Sequence, residues 1–198
     1  MPLENGVPVE APVPDQPAPP ANAAVTLKAR FERPYHMHGS IAPSAAMALF
    51  DNGELTVWTH SQGVYVLRAS MAGALGMDEE NITIKHMPGS GCYGHNGADD
   101  VAFDAALAAR AIPGKPIMLK WTRDDEHAWE PYSSAMVMNV GGSLDDSGAV
   151  VAWSHETYSD THVMRPRPGA GMSGPSRLLA ARFLEKPIPP MTPPPNMQ

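Results

Sequence analysis

The 198-residue sequence is poor in cysteine, in aromatic residues and in clustered positive charge. Its one cysteine, Cys92, excludes an intrachain disulfide and an iron–sulfur cluster held by this chain alone. Its formal net charge of −7, from 14 basic and 21 acidic residues, offers no basic run to a nucleic-acid backbone or an anionic membrane surface. It also has no apolar stretch long enough to span a bilayer. We therefore expect neither nucleic-acid binding nor membrane insertion.

Proline, in contrast, is abundant and unevenly placed. Thirteen of the 22 prolines lie in residues 1–20 and 187–195. Because proline removes a backbone donor and is excluded from helix interiors, both segments are predicted to lack secondary structure. The sequence thus predicts a disordered Pro-rich leader over 1–20, one folded domain over 21–186 and a Pro-rich tail over 187–198.

The periodicity of apolar residues predicts an α/β (α+β) fold with a mixed sheet. Spacings of three and four residues indicate helices, alternation indicates strands, and Asn52-Gly53 supplies the backbone angles of a hairpin turn. Strands that alternate with helices favour a largely parallel sheet, here a β-α-β-α-β core flanked by antiparallel hairpins. Trp58, Trp121 and Trp153 fall in predicted strands and are expected in the core. The predicted strands are 25–32, 45–50, 55–58, 81–85, 116–122, 135–144 and 149–158, and the predicted helices are 63–76, 101–112 and 177–184.

A Gly-rich segment, Gly89-Ser90-Gly91-Cys92-Tyr93-Gly94, separates a predicted strand from a predicted helix. Its backbone N–H groups can converge on a phosphate, assisted by the field of the helix N-terminus. A dinucleotide-binding unit would carry an acidic residue about 20 residues further on, whereas the first acid beyond the next strand is Asp124. The residues leave three interpretations open: an NAD site, a site for another phosphate-bearing cofactor, and a purely structural turn.

Two residue pairs have spacings that could carry other chemistry. Cys92 and His95 could form a thiol nucleophile with its base, and His36 and His38 could be two metal ligands. Neither pair has a third orienting or ligating group nearby in sequence, so packed structural roles are favoured.

Two further segments lie at predicted strand ends. His60 and Gln62 follow a strand at the sheet edge on which the Gly-rich segment lies, where ligands of α/β sheets collect. Residues 123–126, Arg-Asp-Asp-Glu, follow a later strand and are expected to form a solvated turn.

Four sequence blocks, in their order along the chain, carry a resemblance to a known family. They are Pro34-Tyr-His-Met-His-Gly-Ser-Ile-Ala-Pro43, Val57-Trp-Thr-His-Ser-Gln62, Gly89-Ser-Gly-Cys-Tyr-Gly-His-Asn-Gly-Ala-Asp-Asp100 and Trp121-Thr-Arg-Asp-Asp-Glu126. Together they resemble the molybdenum-binding subunit of the xanthine dehydrogenase/aldehyde oxidase family, in its isoquinoline 1-oxidoreductase and nicotinate dehydrogenase branch. The resemblance spans about residues 25–190. Ala42-Pro43 and Cys92-Tyr93-Gly94, where many relatives have Glu-Pro and Gly-Phe-Gly, fit that branch.

This resemblance implies a molybdopterin cofactor, in its cytosine dinucleotide form, rather than NAD. Gln62 would hydrogen-bond an oxo ligand of molybdenum, and the backbone amides around Gly91–Gly94 would approach the molybdenum ligands and the pterin. The implied reaction hydroxylates a small-molecule substrate, an N-heterocycle or an aldehyde, with water as oxygen source, and an iron–sulfur subunit takes the electrons. The cofactor-binding residues expected from the resemblance are Gln62, Gly91, Cys92, Tyr93, Gly94 and His95.

The family's large subunit is several times longer than this sequence, and its catalytic glutamate lies beyond residue 198. The resemblance therefore implies a partial cofactor-binding domain, with no catalytic residue and no metal ligand of its own and with the remainder of the molybdenum subunit as a partner. The isolated chain is expected to be inactive and to lack the cofactor. The alternatives are a non-catalytic module that binds an anion or a partner and, as a weaker one, an NAD-binding domain.

Overall fold

The computed structural model describes residues 3–4, 7–8, 18–159, 165 and 178–187. The chain divides into two compact units, a first unit of Met1–His36 with Ser134–Asp160 and a second unit of Met37–Ser133 with Thr161–Gln198. In chain order the elements are β1 Leu3–Glu4, β2 Val7–Pro8, β3 Val25–Arg33, β4 Ala45–Asp51, β5 Glu54–Thr59, α1 Val64–Leu75, β6 Ile82–His86, α2 Ala98–Ala111, β7 Ile117–Lys120, α3 Arg123–Trp129, β8 Met136–Leu144 and β9 Val150–Ser159, with 3₁₀ turns at Glu79–Asn81 and Leu179–Arg182.

The second unit is built on a four-stranded sheet in the order β6-β5-β4-β7. β4 and β5 form the predicted hairpin, with φ of 50° at Asn52 and 87° at Gly53, the positive angles that a two-residue turn requires. β5 and β6 are parallel, whereas β4 runs antiparallel to both of its neighbours, β5 and β7. The mixed α/β fold is thus confirmed. The expectation of a largely parallel sheet is wrong, because the hairpin inserts β4 between β5 and β7.

The two longer predicted helices pack on this sheet. α1 ends at Gly76, which has a φ of 62° and donates its N–H to Ala72 O, as expected for a C-terminal glycine cap. α2 packs against β4, β5 and β7 with a face of fully buried alanines, whose small side chains let the helix approach the sheet closely. Phe103 and Trp121 fill the remaining space. The core also includes Ala46, Ala48, Leu55, Val57, Leu67, Met71, Leu75, Ile82, Val101, Leu178 and Ala181.

The first unit is an antiparallel sheet in the order β3-β8-β9. The predicted hairpin of β8 and β9 is confirmed, and β3 pairs with β8 over nine residues, a pairing across the chain that local patterns did not predict. Trp153 on β9 is 67% exposed, so the expectation that it belongs to the core is wrong. Trp121, in contrast, is 7% exposed in the second unit, as predicted.

The leader contains one element where none is predicted. Over two residues each, β1 pairs antiparallel with β2. The rest of residues 1–17, and residues 188–198 of the tail, lie outside the described part of the chain. Within the described part, no helix is both long and apolar enough to cross a membrane.

Asp100 is a buried carboxyl group in the first turn of α2. Its side chain accepts a hydrogen bond from the N–H of Leu179 at 2.6 Å, and the residue is only 5% exposed. Burial raises the pKa of Asp100 to about 7, the Leu179 hydrogen bond opposes this, and the nearby charges of Asp99 and Asp104 add to it. The charged form of Asp100 is therefore disfavoured in the folded chain.

We expect Asp100→Asn to make stability less dependent on pH. Because the folded pKa lies above the unfolded one, the folded chain holds a proton between about pH 4 and pH 7 that the unfolded chain lacks. The stability from this proton is complete below about pH 4 and is lost as the pH rises from there through 7. Asparagine keeps an oxygen that can accept the hydrogen bond from Leu179. The variant should therefore be more stable than wild type at pH 8, and its free energy of unfolding should change less steeply with pH, by up to about 1.4 kcal/mol per pH unit. Urea unfolding at half-unit pH steps measures the free energy of unfolding of both proteins. Parallel plots of that free energy against pH for wild type and Asp100→Asn would contradict the prediction.

Candidate functional site

The Gly-rich loop, residues 87–97, connects β6 to α2. Backbone φ is positive at Gly91 (100°), Tyr93 (52°) and Gly94 (134°). Glycine adopts such angles without steric cost, whereas a residue with a Cβ, such as Tyr93, seldom does. The Tyr93 ring lies over Gly91, where an added Cβ would be 2.6 Å from it. The loop therefore departs from helix and strand geometry, which removes its amides from regular pairing.

The backbone N–H groups from Gly91 to Gly94 donate no hydrogen bond to any residue that the structure describes. Unpaired amides are rare inside proteins, because each buried one costs about 1–3 kcal/mol. Tyr93 and Gly94 are exposed and Gly91 and Cys92 are half-buried, so these four amides lie where a ligand can reach them. A group with several oxygen acceptors is the natural partner for such a set of donors.

Two other side chains of the second unit cover glycines of this segment. A Cβ on Gly89 would lie 2.6 Å from the His60 imidazole, and a Cβ on Gly94 would collide with the His38 imidazole. The absence of a side chain at these positions is therefore required by the packing of the loop itself, independently of any ligand.

Asn96 joins the Gly-rich loop to the segment 37–44, which precedes β4. Its Nδ2 donates to Ser40 Oγ at 3.0 Å and to Gly91 O at 3.2 Å, and its Oδ1 accepts from Ala98 N at 3.2 Å. Asn96 is 1% exposed, and these contacts satisfy both ends of its amide. Ser40 and Asn96 are 56 residues apart in the chain, so two of the four sequence blocks meet in space.

The end of β5 and the start of α2 meet at one edge of the sheet. Thr59 Oγ1 donates to Ala98 O at 3.2 Å, and the buried Ser61 Oγ donates to Asp99 Oδ1. These contacts bring Gln62, which follows Ser61, to the edge at which the Gly-rich loop enters α2.

Gln62 is linked to His95 through the guanidinium of Arg165 and the carboxylate of Asp99. Gln62 Oε1 accepts from Arg165 Nη2 at 2.5 Å, and Arg165 Nη1 lies 3.5 Å from Asp99 Oδ2. His95 Nε2 lies 2.9 Å from the same Asp99 oxygen. The exposed Gln62 NH2 group has no partner among the described residues, so it remains a donor for an acceptor from outside the chain.

Residues 123–126 form the first turn of helix α3, so their prediction as a solvated turn is wrong. Thr122 Oγ1 accepts from Asp125 N at 3.1 Å, and Asp125 Oδ2 accepts from Thr122 N at 2.8 Å. The hydrogen bonds from Thr122 lower the pKa of Asp125. This reciprocal capping box begins a helix directly after β7.

Glu126 on α3 belongs to the site, although the sequence predicts it only as part of a solvated turn. It is fully buried and accepts from Ser44 N at 2.7 Å, from Ser44 Oγ at 3.0 Å and from Gly97 N at 3.4 Å. A buried carboxylate is tolerated only with such partners. Arg123 Nη1 also donates to Ser40 O at 2.8 Å. α3 therefore fixes segment 37–44 and the end of the Gly-rich loop together.

Glu130 lies one turn further along the chain and holds His38. It is 3% exposed and accepts a hydrogen bond from His38 N, and its Oε1 lies 3.6 Å from His38 Nδ1. Burial raises the pKa of Glu130, the hydrogen bond from His38 N opposes this, and the charge of Glu126 adds to it. Because the His38 ring covers Gly94, Glu130 positions the exposed end of the Gly-rich loop.

The structure does not assemble the thiol–imidazole pair. Cys92 Sγ donates to Gly94 O, whereas His95 Nε2 contacts Asp99. The two histidines considered as metal ligands also have separate partners, Arg33 Nε for His36 and Ser133 Oγ for His38. Over the described residues, no group of three His, Cys, Asp or Glu side chains could hold a metal ion. Burial lowers the pKa of His60, against the opposing charges of Glu126 and Asp99.

The placement of Asp124 speaks against a dinucleotide site. A dinucleotide-binding acid should end the strand beside the one that enters the Gly-rich loop. Asp124 instead lies in α3, after β7, and β7 and β6 occupy opposite edges of the sheet. The geometric requirement of the NAD interpretation is therefore not met.

Residues 13–173 match the family described as the molybdopterin cofactor-binding domain. A nicotinate dehydrogenase subunit of Pseudomonas putida is 42% identical over 137 residues, which are 69% of this chain and 12% of that protein. The aldehyde oxidoreductase molybdenum-binding subunit PaoC of Escherichia coli K12 is 32% identical over 139 residues, 70% of this chain and 19% of that protein. The chain thus spans less than one fifth of the length of these curated relatives.

A similar fold occurs in solved structures. The aldehyde oxidoreductase of Desulfovibrio gigas aligns with a TM-score of 0.59 at 21% identity, over 71% of this chain and 15% of that one. In that protein, too, the shared fold is a small part of a much longer chain.

Proposed function

Because the chain belongs to the molybdopterin cofactor-binding domain family, we propose that it forms part of the cofactor site of a molybdenum hydroxylase subunit. The backbone N–H groups of Gly91–Gly94 and the side-chain amide of Gln62 would hold the cofactor. One observation carries this proposal. These donors lie at one edge of the sheet, and none of them donates to a residue that the structure describes.

The donors suit the chemistry of this cofactor. Molybdopterin carries phosphate, pterin and oxo oxygens that accept hydrogen bonds, and backbone N–H groups can reach them without adding bulk or charge. Gly91, Cys92, Tyr93 and Gly94 would each contribute an N–H group. His95, anchored by Asp99, would line the site beside them.

When bound, the cofactor would supply hydroxylation of a small-molecule N-heterocycle or aldehyde, with water as oxygen source and electrons leaving through an iron–sulfur subunit. This chain would bind and orient it, in the cytosine dinucleotide form that the resemblance implies. Arg165 holds the Gln62 carbonyl oxygen, so the NH2 group is the donor directed to a ligand. We propose no catalytic base within the chain, and the remainder of the molybdenum subunit would supply it.

The purified chain is predicted to contain no stoichiometric molybdenum and to oxidise neither N-heterocycles nor aldehydes with a dye as electron acceptor. A single wall of a cofactor site cannot enclose a ligand that functional sites bury almost completely. Elemental analysis by mass spectrometry and a dye-reduction assay measure the two quantities.

The positive control is a hybrid subunit. In it, the sequence of this chain replaces the homologous 137-residue segment of the Pseudomonas putida nicotinate dehydrogenase subunit. The proposal predicts that this hybrid subunit retains molybdenum and pterin at a level close to that of the parent. A folded hybrid without cofactor would favour the alternative, a non-catalytic module. Turnover by the isolated chain, free of any longer subunit, would show that the chain encloses more of the site than we propose.

A further inference from the structure

The β3-β8-β9 sheet of the first unit has one polar face and one largely apolar face, on which β9 contributes His155 and Thr157 beside its apolar residues. The register places Leu27 beside Gly142 and Trp153, and Phe31 beside Met138, so alternate residues of all three strands share a face. Intervening residues such as Thr26, Lys28 and Arg30 lie on the other face. There, Thr26 Oγ1 is 3.0 Å from Ser143 Oγ, and Arg30 pairs with Glu32.

Among the residues that the structure describes, the large apolar side chains of this face are exposed. Leu27 is 66% exposed, Phe31 54%, Val150 65% and Trp153 67%, and side chains of this face line a shallow groove. Scattered apolar residues are ordinary on protein surfaces, whereas a contiguous apolar face opposite a polar one is typical of an interaction surface. An antiparallel sheet normally packs such a face against another layer.

The size of the face argues against a second copy of the chain as its partner. Three strands about 4.8 Å apart, with nine residues rising about 3.3 Å each, cover about 400 Å². A stable complex between separate proteins buries about 800 Å² on each side. Although projecting side chains make the accessible surface larger than this flat footprint, two copies joined through this face alone would form an interface at the small end of that range.

The greater length of the related proteins points to a different partner. In the curated relatives the matching segment is 12–19% of the protein, and in the solved aldehyde oxidoreductase 15%, so this fold occurs there within a several-fold longer polypeptide. A longer subunit can cover a face of this size and add contacts around it, because the remaining area comes from elsewhere in the same subunit.

We propose that the apolar face of the β3-β8-β9 sheet is the surface on which the remainder of a molybdenum-binding subunit docks. This inference rests on the proposed function for the identity of the partner. It assigns no role to the Gly-rich loop and needs no bound cofactor.

The test measures binding of the full chain to the Pseudomonas putida nicotinate dehydrogenase subunit that lacks its homologous segment and is prepared without cofactor. Leu27→Glu and Trp153→Glu each place a charge in the centre of the apolar face, at positions exposed enough for the isolated chain to remain folded. Arg30→Glu is the matched control, because it places the same carboxylate on the same strand but on the polar face, at a residue that does not line the groove. Circular dichroism and the thermal midpoint establish that all variants fold.

We expect Leu27→Glu and Trp153→Glu each to raise the Kd at least about 30-fold, as for a central apolar anchor, and Arg30→Glu to change it less than about threefold. Absence of binding by the wild-type chain, or equal effects of the three variants, would overturn the proposal. It would also be overturned if the apolar-face variants abolished self-association of the chain or binding of an iron–sulfur subunit instead. Failure of the hybrid subunit to retain molybdenum while this docking persists would refute the cofactor site and leave the docking surface standing.

Discussion

Replacing Glu126 with alanine is expected to lower the free energy of unfolding by about 3–5 kcal/mol. The fully buried carboxylate accepts from two donors of Ser44 and from Gly97 N, and alanine leaves all three without an acceptor. Each buried donor without a partner costs about 1–3 kcal/mol. Urea unfolding at pH 7 measures the change. Segment 37–44 and the Gly-rich loop should loosen together, because Glu126 is bonded to both.

Asp124→Ala is the matched control for this prediction, since Asp124 is an exposed acid in the same turn of α3. Loss of its favourable interaction with the helix N-terminus should cost no more than about 1 kcal/mol. A double variant with Ser44→Ala should lose much less than the sum of the single changes, because the two residues share their hydrogen bonds. Equal effects of Glu126→Ala and Asp124→Ala would contradict the role assigned to the buried carboxylate.

Gly94→Ala is expected to destabilise the chain by about 2–4 kcal/mol and to lower cofactor content at least tenfold in the hybrid subunit. Gly94 has a φ of 134°, which a residue with a Cβ rarely adopts, and its added methyl group would collide with the His38 imidazole. The loop must shift to relieve the backbone strain and the collision with His38, and this shift moves its N–H groups. Unfolding experiments on the chain and metal analysis of the hybrid measure the two effects separately.

Gly53→Ala provides the comparison, because Gly53 also has a positive φ, 87°, but nothing lies within 4 Å of a Cβ there. It should cost about 1 kcal/mol and leave cofactor content unchanged. Adding His38→Ala to Gly94→Ala should recover part of the lost stability, since it removes the collision but not the backbone strain. If Gly53→Ala and Gly94→Ala had the same effect on cofactor content, the loop would have no specific part in binding.

Local patterns predicted the elements of the fold well and their arrangement less well. The Asn52-Gly53 turn and the cap at Gly76 depend on backbone angles that neighbouring residues determine, and both occur as expected. The position of β4 between β5 and β7 depends on which edge a later strand joins, and no local signal encodes that choice. Similarly, alternation in β9 places Trp153 on an apolar face, but it cannot say whether another layer covers that face.

The family resemblance is confirmed by the matching domain family, but the contacts that α3 makes with segment 37–44 and the Gly-rich loop do not follow from local patterns. Composition alone predicts a solvated turn at the charged residues 123–126, because it does not distinguish a buried acid from an exposed one. One signal was present: Thr122 followed three residues later by Asp125 is a capping pattern, which would have predicted helix α3. The burial of Glu126 depends on Ser44 and Gly97, which are distant in sequence.

The measurement that tests the central claim most directly is amide hydrogen exchange of residues 88–97 in the hybrid subunit, prepared with and without cofactor. If the Gly-rich loop holds the cofactor, the amides from Gly91 to Gly94, which donate to no described residue, should exchange at least tenfold more slowly in the loaded sample. The Asn52-Gly53 turn, on the hairpin of the same sheet, should exchange equally in both. Equal exchange of the Gly91–Gly94 amides in the loaded and unloaded samples would contradict the account.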